Sequence, residues 1–242
     1  MDAIKTEGLT KRYREVVAVD NLSLSIKEGE LFSLLGVNGA GKTTTIKMLS
    51  CLTEPDSGEA YLLGKSIRKE SAEVKSLIAV SPQETAVAPG LTVRENLELI
   101  AGVHGFSKEK RNTKIAELTE LLGLSGVLTR RAGKLSGGWQ RRLSIAMALI
   151  SEPKILFLDE PTLGLDVIAR SELWDIIRSL KGGVTVILTT HYMEEAEALS
   201  DRIAIMKDGR LLVCDTPDGI KARCKTESFE DAFIKTVRGA EL

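Results

Sequence analysis

The spacing of apolar residues divides the chain into strands and helices before any residue is considered for chemistry. Ile155-Leu156-Phe157-Leu158 is an unbroken apolar run, the pattern of a parallel strand covered on both faces. Leu31-Phe32-Ser33-Leu34-Leu35 reads as a second short buried strand, and Gly58–Leu63, Ile78–Ser81, Val184–Leu188 and Arg202–Met206 as further ones. From Ala3 to Ile26 the pattern suits edge strands, with Leu22, Leu24 and Ile26 alternating and Tyr13 in the turn between two of them. Asp208-Gly209 predicts a two-residue hairpin turn into Leu211-Leu212-Val213. Helical spacing follows Leu35 at Ile46–Leu49, and recurs at Leu173, Ile176, Ile177 and Leu180, and in the acidic stretch Met193–Leu199. Thr216-Pro217 and Ser228 predict the starts of two closing helices.

Between Thr92 and about Arg131 the pattern is helical and poor in β-branched residues. Thr92-Val93-Arg94-Glu95 fits a capping box ahead of Leu97, Ile100 and Ala101. A second helix after Ser107 places Ile115, Leu118, Leu121 and Leu122 on one face. Its opening charge run, Lys108–Arg111, is better explained as a solvated helix start than as a nucleic-acid patch. The expectation is an α/β core interrupted by a helical insertion. The boundaries assigned are 1–83 and 154–215 for the core, about 84–153 for the helical subdomain and about 216–242 for the C-terminal helices, all in one domain.

Composition narrows the function. The 242 residues are 43% hydrophobic, enough for a substantial core, and the net charge of −1 supplies no global basic field for nucleic acid. Three cysteines without metal-type spacing suggest reduced thiols in a cytosolic protein, and two histidines, His104 and His191, leave little for a histidine metal site. No apolar run approaches the ~18 residues that span a bilayer, and no signal-peptide core opens the chain. A soluble protein is expected.

The strongest chemical signal is Gly36-Val37-Asn38-Gly39-Ala40-Gly41-Lys42-Thr43-Thr44, set between a buried strand and a helix. This is the phosphate-loop arrangement. Its glycines let consecutive N–H groups turn inward onto a polyphosphate, and the following helix adds the positive end of its dipole. Lys42 supplies a charge for the β- and γ-phosphates, and the Thr43 hydroxyl is a ligand for Mg²⁺. Asp159-Glu160-Pro161 closes an apolar strand, on the side where open α/β sheets bind ligands. Asp159 suits the second Mg²⁺ ligand, and Glu160, one residue off the strand axis, suits a base for the attacking water. Leu135-Ser136-Gly137-Gly138 opens a helix with Ser136 at the N-cap, either a plain capped start or a second anion site.

A phosphate loop, then L-S-G-G, then an apolar run ending in D-E-P, then a lone histidine resembles the ATP-binding cassette (ABC) family over nearly the whole chain, from Ile4 to about Ala232. The resemblance implies a P-loop NTPase core with a mostly parallel sheet, an N-terminal antiparallel β-subdomain and an inserted helical subdomain. It implies roles as well. Tyr13 lies where the family's adenine-stacking aromatic sits, though a half-buried strand aromatic is the plain alternative. Gln83 matches the glutamine that touches Mg²⁺ and water and joins core to helical subdomain. Gly164-Leu165-Asp166 matches the loop that crosses to a partner, and His191 the histidine at the γ-phosphate. Ser136, Gly137 and Gly138 would cover the nucleotide of a second subunit. Val37, Leu163, Val167 and Trp139 depart from the commonest family residues without removing a catalytic group.

The resemblance implies an ATP-hydrolysing subunit of a membrane transporter, using ATP and Mg²⁺, pairing with a second ABC subunit and a separate transmembrane permease. Such a subunit would be cytoplasmic, held on the inner face of the membrane by the permease. Thr189–Glu197 and Ser228–Phe233 resemble the branch that exports drugs, polysaccharides and lipids. The alternatives are an importer subunit, or a soluble ABC ATPase acting on nucleic acid or ribosomes. One compact helical region between Gln83 and Ser136, a single cassette and the absent basic face argue against the last, so no nucleic-acid partner is expected.

Overall fold

The computed structural model describes residues 1–239; the end of the predicted C-terminal region, 240–242, lies outside them. The strands run in chain order β1 (Asp2–Tyr13), β2 (Val16–Lys27), β3 (Leu31–Leu35), β4 (Ser57–Leu62), β5 (Lys65–Ser66), β6 (Ile78–Ser81), β7 (Ile155–Asp159), β8 (Thr185–Thr190), β9 (Arg202–Lys207) and β10 (Arg210–Asp215). The helices are α1 (Lys42–Leu49), α2 (Ser71–Leu77), α3 (Val93–Val103), α4 (Lys108–Leu121), α5 (Gly137–Leu149), α6 (Val167–Ser179), α7 (Met193–Leu199), α8 (Pro217–Cys224) and α9 (Phe229–Arg238). One sheet has the order β10-β9-β3-β8-β7-β6 and is parallel except for β10. The other, β2-β1-β4-β5, is antiparallel.

The period of two along β7 separates two cores. Leu156 and Leu158 pack with α3, α4 and α5 through Leu97, Ile115, Leu118 and Leu143. Ile155 and Phe157 face the other way, onto α1 and the antiparallel sheet through Ile46, Met48 and Leu9. A third cluster joins Ile203 and Ile205 of β9 to Phe229 and Phe233 of α9. The insertion therefore has no separate core; its helices and one face of the sheet bury each other.

Local signals hold where the side chain itself makes the structure. Thr92 accepts from the Glu95 amide while Glu95 reaches back to the Thr92 amide, the full capping box, worth about 1 kcal/mol. Ser107, Thr216 and Ser228 cap α4, α8 and α9. Four details differ from the sequence expectation. Tyr13 ends β1, and Arg14-Glu15 make the turn. Leu121 is exposed because buried Thr119, Leu118 and Leu122 take up the inward arc of α4. The strand at Gly58–Leu63 runs Ser57–Leu62, because Leu63 turns into the left-handed region. The strand at Val184–Leu188 runs on to Thr190, because its ladder with β7 and β3 extends to Thr189 and Thr190.

Candidate functional site

The phosphate loop closes between the carboxyl end of β3 and the start of α1. Two glycines are required by contact. A β-carbon on Gly36 would lie 2.4 Å from the Met206 carbonyl oxygen, and one on Gly41, at φ 101°, 2.4 Å from the Ala18 carbonyl oxygen. The predicted Asp208-Gly209 turn braces the loop from outside: the Gly209 amide donates to the Ala40 carbonyl at 3.2 Å. Lys42 is buried inside the loop. Its ammonium donates to the carbonyls of Gly36 at 2.7 Å and Val37 at 3.4 Å.

A cavity of about 500 Å³ opens over this loop, walled by Asn38, Gly39, Ala40, Gly41, Lys42, Thr43, Thr44, Gln83, Glu160 and His191, with Val16, Ala18 and Leu163 at its edge. Gly36 and Val37 stand behind or beside that wall, Gly36 buried and Val37 exposed. Tyr13 is outside it; its ring lies on the β1–β2 hairpin, 5.6 Å from the Lys11 ammonium, and Val16 and Ala18 occupy the edge. Gln83, an exposed residue after β6, lines the cavity.

Behind the loop, the β7 carboxylates divide their work. Asp159 Oδ1 accepts from Thr43 Oγ1 at 3.1 Å and from Thr189 Oγ1 at 2.5 Å. Thr43 and Asp159 thus present adjacent hard oxygens, and no group of three or more His, Cys, Asp or Glu that could cage an ion exists among the described residues. That donor set suits Mg²⁺, which takes one or two protein oxygens and completes its shell with water and phosphate. Glu160 is buried, with Oε1 at 3.3 Å from the Lys42 ammonium and Oε2 at 2.7 Å from His191 Nδ1. Engaging Nδ1 leaves Nε2 as the free ring nitrogen of His191. Glu160 also has φ 48°, a left-handed backbone rarely held by a non-glycine. Its amide is secured by Thr189, through the carbonyl at 3.2 Å and Oγ1 at 3.0 Å.

Two residues of this neighbourhood carry no individual chemical signal in the sequence. Thr189 bonds both Asp159 and Glu160, yet in the sequence it is one of a Thr-Thr pair ending a strand. Glu195 on α7 is buried; burial raises its carboxyl above the ordinary range, and the Glu160 charge adds to the rise, while the Thr190, Thr162 and Trp174 donors pull the other way. Trp174 Nε1 donates to its Oε1 at 3.1 Å, whereas Oε2 and the Thr162 hydroxyl reach no hydrogen-bonding geometry.

Ser136, Gly137 and Gly138 do not reach this cavity. They sit on a separate surface, where a β-carbon on Gly137 would meet Leu165 at 3.8 Å and one on Gly138 would meet Ala169 at 3.2 Å. Ser136 occupies the N-cap position of α5, but its hydroxyl makes no cap bond, which sets aside the plain capped start of the two readings. Trp139 packs on the helical core beneath the Arg142 guanidinium, 5.0 Å from its ring centroid. Beside Gly164–Asp166, Leu163, Val167 and Ile168 are exposed, the last two by more than 70%.

This geometry has close counterparts. The ABC transporter family profile matches residues 19–163. A probable multidrug ABC transporter ATP-binding protein of Escherichia coli is 39% identical over 97% of this chain, which spans 41% of that protein's length. A daunorubicin resistance ATP-binding protein of Streptomyces coeruleorubidus is 42% identical over 90% of the chain and 68% of its own length. The Nod factor export ATP-binding protein I of Burkholderia orbicola is 41% identical over 90% and 72%. Among solved structures, the ATP binding subunit of an ABC transporter superposes with a TM-score of 0.85 at 26% identity, covering 97% of this chain and 99% of that one. A dimeric ATP-binding cassette, MJ0796, bound to ADP and phosphate after hydrolysis gives 0.79 at 30% identity, over 88% and 98%. The phosphate loop, the divided carboxylates and these likenesses agree: the chain belongs to the ABC transporter family and carries its ATP-binding cassette.

Proposed function

We propose that this chain hydrolyses ATP between two subunits and drives an exporter through a separate transmembrane permease. The observation that carries the proposal is the separation of two half-sites: Lys42, Thr43, Asp159, Glu160 and His191 surround one cavity, while Ser136–Gly138 lie on another surface with a free hydroxyl. Exposed Leu163, Val167 and Ile168 give that surface an apolar area for a second copy or a related subunit. The dimeric, post-hydrolysis state of the MJ0796 cassette supports the same pairing. Export is supported by the names of the drug-resistance and Nod factor relatives. Among the described residues no helix is long and apolar enough to cross a membrane, so attachment to the inner face would come through the permease.

In the proposed reaction Lys42 and the loop amides neutralise the β- and γ-phosphates, and Gln83 and His191 Nε2 approach the outer phosphate. Mg²⁺ held by Thr43 and Asp159 would supply charge stabilisation. Water attacks the γ-phosphorus, its proton passes to a Glu160 oxygen, and the bond to the β–γ bridging oxygen breaks to release ADP. His191 Nδ1 holds the Glu160 carboxylate in place throughout. Ser136, Gly137 and Gly138 of the partner subunit close over the triphosphate, so closure follows ATP and hydrolysis loosens it. Light scattering of the Glu160→Gln protein tests this: ATP with Mg²⁺ should double the mass, and a species that stays monomeric would refute the sandwich.

A further inference from the structure

Arg141 lies on α5 only a turn beyond Gly138, and it is the one buried arginine among the described residues. Its guanidinium forks onto two successive carbonyls, Nη1 to Pro82 at 2.6 Å and Nη2 to Gln83 at 2.6 Å. Asp159 and Glu195 are the acids whose fields act on it. A second tie lies one turn further along the helix, where Ser144 Oγ and Ser81 Oγ are 2.9 Å apart. The neighbouring Gln140 faces the other way along the chain. Its Nε2 donates to the Ala132 and Leu135 carbonyls at 3.3 and 3.1 Å, which fixes the loop leading into Ser136.

These contacts form a continuous path from Ser136–Gly138, through Gln140, α5 and Arg141, to the backbone at Gln83. The chain beyond Gln83 is anchored again at Ala88, whose amide and carbonyl both bond the buried Asn96 side chain of α3, at 2.8 and 3.1 Å. Between these anchors Glu84-Thr85-Ala86-Val87 make no backbone hydrogen bond among the described residues.

We propose that Arg141 is a positioning residue that makes the Ser136–Gly138 loop and the Gln83 backbone one rigid body. The inference rests on the two-subunit reading above. In that arrangement Gln83 serves the nucleotide of its own subunit while Ser136–Gly138 serve the nucleotide of the partner. Engagement of one ATP by Gln83 thereby sets the height of the loop that covers the other, and flexing is displaced to residues 84–87. A guanidinium is suited to the task because its planar fork fixes two carbonyls in one orientation, which a single ammonium does not.

The full chain carrying Arg141→Met or Arg141→Lys tests the inference. ATP affinity is measured with a fluorescent analogue, turnover by phosphate release, and self-association by light scattering in the Glu160→Gln background. Arg141→Met should leave ATP affinity within about twofold, because Lys42 and the loop amides are untouched. It should lower kcat about 10- to 100-fold, the cost of misplacing reacting groups by about 1 Å. Arg141→Lys, keeping the charge on a single donor nitrogen, should fall between, and it carries the test should the methionine variant fail to fold. In the Glu160→Gln background Arg141→Met should shift ATP-driven pairing to higher ATP. Turnover within twofold of the parent in both variants would overturn the proposal, and so would a loss of kcat matched by an equal loss of ATP affinity. A Glu160→Gln protein that never pairs refutes the two-subunit reading; one that pairs at unchanged ATP with Arg141→Met refutes the strut alone.

Discussion

Replacing Glu160 by Gln keeps the side chain's shape and removes its charge, and the structure sets two opposite effects. Gln accepts no proton from water, so turnover should fall by about 10²–10⁴-fold. Binding should move the other way. Lys42 has its ammonium 3.3 Å from Glu160 Oε1 inside a buried loop. At an effective dielectric of about 20 that attraction is about 5 kcal/mol by Coulomb's law, most of it offset by desolvation of both groups. A phosphate competing for Lys42 must weaken this contact and must also approach a buried carboxylate. If about 1–2 kcal/mol of the attraction is surrendered on binding, Glu160→Gln should bind ATP about 5- to 30-fold more tightly. The same change replaces the carboxylate contact of His191 Nδ1 by an amide contact of similar reach. Fluorescent-nucleotide titration and single-turnover hydrolysis separate the two effects. Tighter binding with abolished turnover supports the arrangement. Turnover within tenfold of the parent would remove Glu160 as the base, and weaker binding would show that the Lys42–Glu160 pair does not compete with nucleotide.

Lys42→Ala deletes the ammonium and its bond to the Gly36 carbonyl, so ATP affinity should fall by about 2–3 kcal/mol, about 30- to 150-fold; normal ATPase rates would refute the site. Ser136→Arg should abolish turnover while the isolated subunit still binds ATP, since Ser136 lies outside the cis cavity; unimpaired hydrolysis would disprove the trans contact. Glu195→Gln should act on stability according to pH. The folded protein holds the Glu195 proton more tightly than the unfolded chain, so stability is greatest below the ordinary carboxylate range and declines as pH rises from there through the raised value. The glutamine variant lacks that slope, and its melting midpoint relative to the parent should improve from pH 5 to pH 8; an equal difference at both pH values would refute a raised Glu195 carboxyl.

What could be read from the sequence depended on whether a residue's role is local. The phosphate loop was legible because its glycines and Lys42 act within nine residues. The Thr92 and Ser228 caps and the Asp208-Gly209 turn were legible for the same reason. The sheet order was accessible only as a class, since the pairing of β3 with both β8 and β9 joins segments more than 150 residues apart. The continuous core between insertion and sheet was hidden too: Leu97 and Leu158 look alike in an apolar pattern whether they share a core or not.

The hardest residues to foresee are those that serve the backbone of others. Thr189 has the composition of any strand end, yet its hydroxyl orients Asp159 and its backbone and side chain hold Glu160 in a left-handed turn. That turn is what separates two adjacent acids: Asp159 points to Thr43, and Glu160 swings to Lys42 and His191. With extended geometry at 160 the alternation of the strand would carry Glu160 to the opposite face from Asp159, away from the shared cavity. The local strain at Glu160 is therefore the structural condition for placing the proposed metal-binding and proton-accepting roles on consecutive residues. Its retention depends on a threonine 29 positions away in sequence that the motif alone does not include.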